Sequence, residues 1–144
     1  MKEMLENRKA MHSGKRSYGT GGRFAKDPNI TRMAIRPSEE GDRETAHPIV
    51  RTHPETGRKA LFINAVYTVR LEGMTDAESA PILNYLNDHS TRPEFTCRIR
   101  WSENALTIWD NRCTQHLAMW DYWPDERYGH RVTVKGDAPF YRAK

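Results

Sequence analysis

Phe95-Thr96-Cys97-Arg98-Ile99-Arg100-Trp101 alternates apolar and polar side chains over its whole length. Successive side chains on a strand point to opposite faces, so this run predicts a half-buried β-strand. Ser102-Glu103-Asn104 reads as a turn and Leu106-Thr107-Ile108-Trp109 as the return strand. Further on, His130-Arg131-Val132-Thr133-Val134-Lys135 alternates again and is closed by Gly136-Asp137. Working back, Ile49-Val50-Arg51-Thr52, the turn Pro54-Glu55-Thr56-Gly57 and Ala60-Leu61-Phe62-Ile63 read as a hairpin, and Val66 to Leu71 as another extended piece. Several short strands with tight turns indicate a mainly β fold with flanking helices, an antiparallel sandwich or barrel such as a jelly roll.

Residues 75–88 are the clearest helix. Thr75 with Glu78 matches a capping box, and Ile82, Leu83 and Leu86 recur at helical spacing. Pro81 removes a backbone donor. Two readings follow: a kink there, or a helix starting near Ser79 with Pro81 in its first turn. Residues 3–12 have helix-forming composition, with Ser13-Gly14 as the stop. Residues 13–47, rich in glycine and poor in large apolar side chains, predict a functional loop or an irregular, mobile segment. The division expected is therefore 1–46, a helix plus an irregular segment, and 47–144, an ordered unit.

The 144 residues suffice for one domain, but only 37% are apolar and the mean hydropathy is −0.87, which is lean for a compact globule. No apolar run approaches the roughly 20 residues that span a bilayer, so no membrane role is expected. The first residues lack an apolar h-region, so no secretory signal is expected. Cys97 and Cys113 form no CxxC pair and suit a reducing, cytoplasmic setting. The net charge of +4 is scattered among acids, which argues against nucleic-acid binding and suits a small anionic substrate better.

Chemistry concentrates in Trp109-Asp110-Asn111-Arg112-Cys113-Thr114-Gln115-His116, just past a strand end, followed by Arg127 and Arg131. If the chain is extended from 127 to 131, even spacing puts both guanidiniums on one face. A neutral imidazole near two guanidiniums makes a site for one metal and up to two anionic groups. The residues alone equally allow a surface histidine, a local pairing of Arg127 with Asp125 and Glu126, and tryptophans that only pack.

Three blocks tip this balance: 47–62, 109–116 and 130–140. In order and spacing they resemble the C-terminal half of the taurine dioxygenase (TauD/TfdA) family of Fe(II)/2-oxoglutarate-dependent dioxygenases, along roughly 95 residues from His47 onward. The resemblance implies a double-stranded β-helix, truncated at its N-terminal side. It implies that His116 is the distal histidine of a two-histidine, one-carboxylate iron triad. It also implies that Arg127 binds 2-oxoglutarate, that Arg131 binds the anionic head of the substrate, and that Trp109 walls the site. Iron(II) and 2-oxoglutarate are the implied cofactor and co-substrate, O2 the oxidant, and a small sulfonate such as taurine or a related anion the molecule hydroxylated.

The family's other two ligands form a His-x-Asp motif upstream. Here only His53-Pro54-Glu55 fits a His-x-acid pattern, and it lies in a turn context. The chain is therefore expected to be inactive unless a complementing N-terminal half completes it, and the partners expected are that half or a second copy of the chain in a homo-oligomer. The alternative is a non-catalytic remnant serving as an anion-binding or oligomerisation module.

Overall fold

A computed structural model describes residues 1–27, 35–119 and 121–143. Two small antiparallel sheets and one long helix make up its regular part. The three-stranded sheet has β1 (Lys9–Ser13) at its centre, with β2 (Glu44–Pro48) on one side and β5 (Thr68–Leu71) on the other. Ala10 faces His47 across one ladder and Leu71 across the other, with a bulge between Met11 and His12 on the β5 side. β3 (Val50–Thr52) and β4 (Lys59–Leu61) form the second sheet, with Arg51 opposite Ala60.

Ile49 joins the two sheets. Its N–H donates to the Arg8 carbonyl and its carbonyl accepts from Phe62 N–H, at 2.9 and 2.7 Å, while its side chain is fully buried. Leu5, Ala10, Ile63, Leu71, Leu83 and Leu86 close around it as one core. The hairpin expected from residues 49–63 is present. Its turn runs through Gly57 at φ +69°, a backbone state that costs glycine nothing.

The helix α4 (Asp76–Ser90) starts where the capping box predicts: Thr75 and Glu78 satisfy each other's backbone N–H. It passes through Pro81 rather than starting near Ser79. Fully buried Ser79 accepts a hydrogen bond from Leu71 N–H at 2.9 Å, which pins the helix to β5. No helix among the described residues is long and apolar enough to cross a membrane.

Three expectations need correction. The helix of residues 3–12 is a single turn, α1 (Lys2–Leu5); Asn7 then takes φ +62° and residues 9–13 become β1. Pairing on both edges outweighs the weak preference of Lys9, Ala10 and Met11 for helix. The segment 13–47 is not wholly irregular. It holds α2 (Arg23–Lys26), α3 (Glu39–Asp42) and β2, although residues 28–34 lie outside the described part.

The strands expected at 95–101, 106–109 and 130–135 do not form. Apart from a 3-10 turn at Pro93–Phe95, the chain beyond α4 carries neither helix nor strand among the described residues. Alternation specifies a face, but a strand exists only where a neighbour takes its N–H and C=O groups. Here Val132 and Val134 stand more than 90% exposed. The chain end returns at Phe140, whose carbonyl accepts from Thr52 N–H, and at Tyr141, which shares Glu6 with Lys59.

Candidate functional site

The segment 109–116 folds around Asp110. Its backbone carbonyl accepts from Cys113 N–H, Thr114 N–H and the Thr114 hydroxyl, closing one tight turn. Its carboxylate accepts from the Arg112 backbone N–H, Nε and Nη2 at 2.7 to 3.0 Å, and from His53 Nε2 at 3.0 Å. The Arg112 guanidinium, followed by the His53 bond, holds the Asp110 carboxyl well below the usual carboxylate range. Arg112 also reaches Glu55 in the hairpin turn at 2.8 Å. At the far end, Gln115 Nε2 donates to the Ile63 carbonyl at 2.7 Å and Gln115 Oε1 accepts from Asn64.

His53 belongs to the β3–β4 turn and is nearly buried. Its Nδ1 receives the backbone N–H groups of Glu55 and Thr56, so the ring proton sits on Nε2 and is donated to Asp110. This assignment decides the chemistry of the one grouping of metal-type donors found among the described residues, His53, Asp110 and Cys113, which lie within 4.8 Å of one another. A ligating imidazole needs a bare nitrogen, and both ring nitrogens of His53 are engaged. The Asp110 carboxylate is already neutralised by Arg112, and the charge of Arg51 is felt there as well. The group is a hydrogen-bonded junction, in keeping with a turn role for His53 and Glu55.

The four residues singled out from sequence are only partly gathered. Trp109 and His116 come together, with ring centroids 5.0 Å apart at 45°. Both Arg127 and Arg131 are exposed. Arg127 lies over the Tyr122 ring at 5.9 Å. Arg131 is close enough to the Tyr67 hydroxyl to favour its ionised form, against partial burial and the Tyr18 hydroxyl, which together push that phenol up to about 12. Neither arginine shares a hydrogen bond, ion pair or ring contact with His116 among the described residues. The residues present thus do not fit a complete iron centre: His116 stands exposed and belongs to no group of three His, Cys or carboxylate donors among the described residues.

Sequence reading quotes Asp110, Arg112 and Gln115 within the 109–116 stretch without giving them a role, and gives Tyr67 none. Two of them had a local signal. An aspartate two positions before a backbone N–H favours an Asx turn, which Asp110 and Arg112 make at 2.8 Å.

Comparison with known proteins locates this arrangement. An alkylsulfatase of Acinetobacter baylyi is 36% identical over 137 residues, covering 95% of this chain and 43% of its own length. An alpha-ketoglutarate-dependent sulfate ester dioxygenase of Pseudomonas putida is 43% identical over 96 residues, covering 67% of this chain and 32% of its own. An alpha-ketoglutarate-dependent sulfonate dioxygenase of Saccharomyces cerevisiae is 33% identical over 95 residues, covering 65% and 23%. The chain spans well under half the length of the curated relatives it matches. Among solved structures, AAD-2 in complex with Mn(II) and N-oxalylglycine superposes with a TM-score of 0.50 at 24% identity, over 70% of this chain and 36% of that one, a likeness of fold alone. The profile described as "Taurine catabolism dioxygenase TauD, TfdA family" matches residues 1–133, so the likeness begins well ahead of His47, and the chain belongs to the TauD/TfdA family.

Proposed function

We propose that this chain is the C-terminal portion of an Fe(II)/2-oxoglutarate-dependent dioxygenase that hydroxylates a small anionic compound bearing a sulfonate or sulfate ester, taurine among the candidates. The observation that carries the reading is positional. His116, Arg127 and Arg131 all fall inside the matched span, in the order and spacing the family resemblance requires. The named activities of the relatives from Acinetobacter baylyi, Pseudomonas putida and Saccharomyces cerevisiae converge on sulfur oxyanions.

In this reading His116 supplies one iron ligand and Trp109 walls its approach. Arg127 takes the far carboxylate of 2-oxoglutarate and Arg131 the anionic head of the substrate. A planar guanidinium donates two parallel hydrogen bonds to a carboxylate, sulfonate or sulfate, and neither arginine is committed to an ion pair among the described residues. Iron would supply the redox chemistry with O2. The remaining ligands come from outside these residues, so activity requires a complementing N-terminal half that closes a jelly roll. Residues 47–144 form the C-terminal half of that domain, and 1–46 join it through β1 and β2. The unpaired thiols Cys97 and Cys113 suit the cytoplasm.

The exposed apolar side chains beyond α4 favour a second reading, a non-catalytic module that self-associates. A chimera separates the two: this chain replaces the matching part of the Pseudomonas putida relative. It should form succinate with a sulfate ester, and His116→Ala should abolish this. Arg127→Ala should raise KM for 2-oxoglutarate about tenfold or more, and Arg131→Ala that for the sulfate ester, the loss of a charge-assisted bidentate contact. Equal effects of both arginines on both substrates would refute the division of roles.

A further inference from the structure

We propose that His53 and Asp110 are positioning residues for His116: the hairpin turn holds His53, His53 grips the Asp110 carboxylate, and this grip fixes the loop that presents His116 beside Trp109. The inference rests on the reading of His116 as a metal ligand. The loop needs external anchors, because residues 109–116 lie outside any helix or strand. It has two. Near its start, Asp110 is bound to His53 at 3.0 Å, and Arg112 spans from Asp110 to Glu55. Near its end, Gln115 is bound to the Ile63 carbonyl at 2.7 Å and to Asn64. Both anchors lie on the hairpin or just after it, on backbone continuous with the buried Ile49 and Ile63. His116 follows directly on the second anchor.

The histidine is suited to this because its two nitrogens serve different elements. Nδ1 accepts from the turn amides of Glu55 and Thr56, and Nε2–H donates across to the loop. The bond to Asp110 is charge-assisted on the acceptor side, the stronger class of hydrogen bond. Ring orientation and loop position are thereby coupled, as when a partner beyond the metal ligands orients them.

Two isosteric replacements separate the two functions. Asn at 53 places an acceptor where Nδ1 lies but cannot reach Asp110. Gln places a donor where Nε2 lies but leaves the turn amides without their acceptor. The readout is the NMR position of the His116 ring protons, which Trp109 displaces at 5.0 Å separation; His116→Gln assigns them. Amide protection at Glu55 and Thr56 monitors the turn. The expected results are displaced His116 protons in the 144-residue chain, loss of the displacement in His53→Asn with the turn amides still protected, and retention in His53→Gln. Asp110→Ala, a variant that leaves the hairpin's own bonds untouched, should lose it too. Loss with both replacements of His53, loss with neither, or retention in Asp110→Ala overturns the proposal. No metal, 2-oxoglutarate or turnover enters this measurement, so its failure would leave the reading of His116 standing, and a failure to bind iron would leave the clamp standing.

Discussion

Acidification should weaken this fold through His12, starting above the range in which carboxylates titrate. His12 lies on β1, stacked on Phe62 at 5.6 Å and edge-on to His47 at 5.1 Å. Burial first, and the neighbouring His47 second, lower its pKa from 6.5 to about 4, although the Phe62 backbone bond opposes them. The folded chain therefore resists a proton that the unfolded chain accepts. Stability is fully present above 6.5 and is lost progressively as the pH falls from there to about 4, because the unfolded state binds more protons in that window. The gap would be worth roughly 3–4 kcal/mol at about 1.4 kcal/mol per unit. His12 is only partly buried, and solvent screening reduces this to about 1–2 kcal/mol. Urea unfolding of the native chain and of His12→Phe, between about pH 7.5 and pH 4.5, isolates the effect because carboxylate titrations common to both cancel. Phenylalanine keeps the stack on Phe62 without the charge. The native chain should lose about 1–2 kcal/mol relative to the variant across that range. A pH-independent difference, or one of opposite sign, would refute the reasoning.

Other substitutions test the core and the buried charge. Ser79→Ala should cost about 1–3 kcal/mol in urea unfolding, because Leu71 N–H is left buried without an acceptor; a cost below about 0.5 kcal/mol would contradict the pinning of α4 to β5. Arg51 is 4% exposed, and its Nε and Nη2 have no hydrogen-bond partner among the described residues, so Arg51→Met should be neutral or stabilising while keeping the contact with Phe62; a loss above about 2 kcal/mol would show that the guanidinium is satisfied. Tyr141→Phe should cost about 1 kcal/mol by removing the hydroxyl that joins Lys59 and Glu6, and an unchanged urea midpoint would argue that this contact contributes nothing.

Local signals carried most of what was legible. The capping box at Thr75 and Glu78 names the start of α4 because both partners lie within four residues. The hairpin of β3 and β4 is readable for the same reason: its turn and both strands are contiguous. β1 was not readable. Its composition favours helix, and the strands that override it, β2 and β5, lie far along the chain. The alternating runs at 95–101 and 130–135 express a face, yet no neighbour completes their ladders among the described residues. At the candidate site, the family resemblance points to Trp109 and His116, and the structure brings these two rings together. His53 and Asp110 escaped notice as a pair because their contact crosses 57 positions. Arg127 and Arg131 remain assigned by resemblance, since neither shares a hydrogen bond, ion pair or ring contact with His116 among the described residues.

The central claim is that these residues supply one iron ligand and two anion-binding arginines to a site completed from elsewhere. Its most direct test is the visible charge-transfer band of an iron(II)–2-oxoglutarate chelate, recorded anaerobically for the 144-residue chain and for the chimera side by side. The account predicts no band from the chain alone, a band from the chimera, and its loss in the chimera carrying His116→Ala. A stoichiometric band from the chain alone, or a chimera band indifferent to His116, would contradict it.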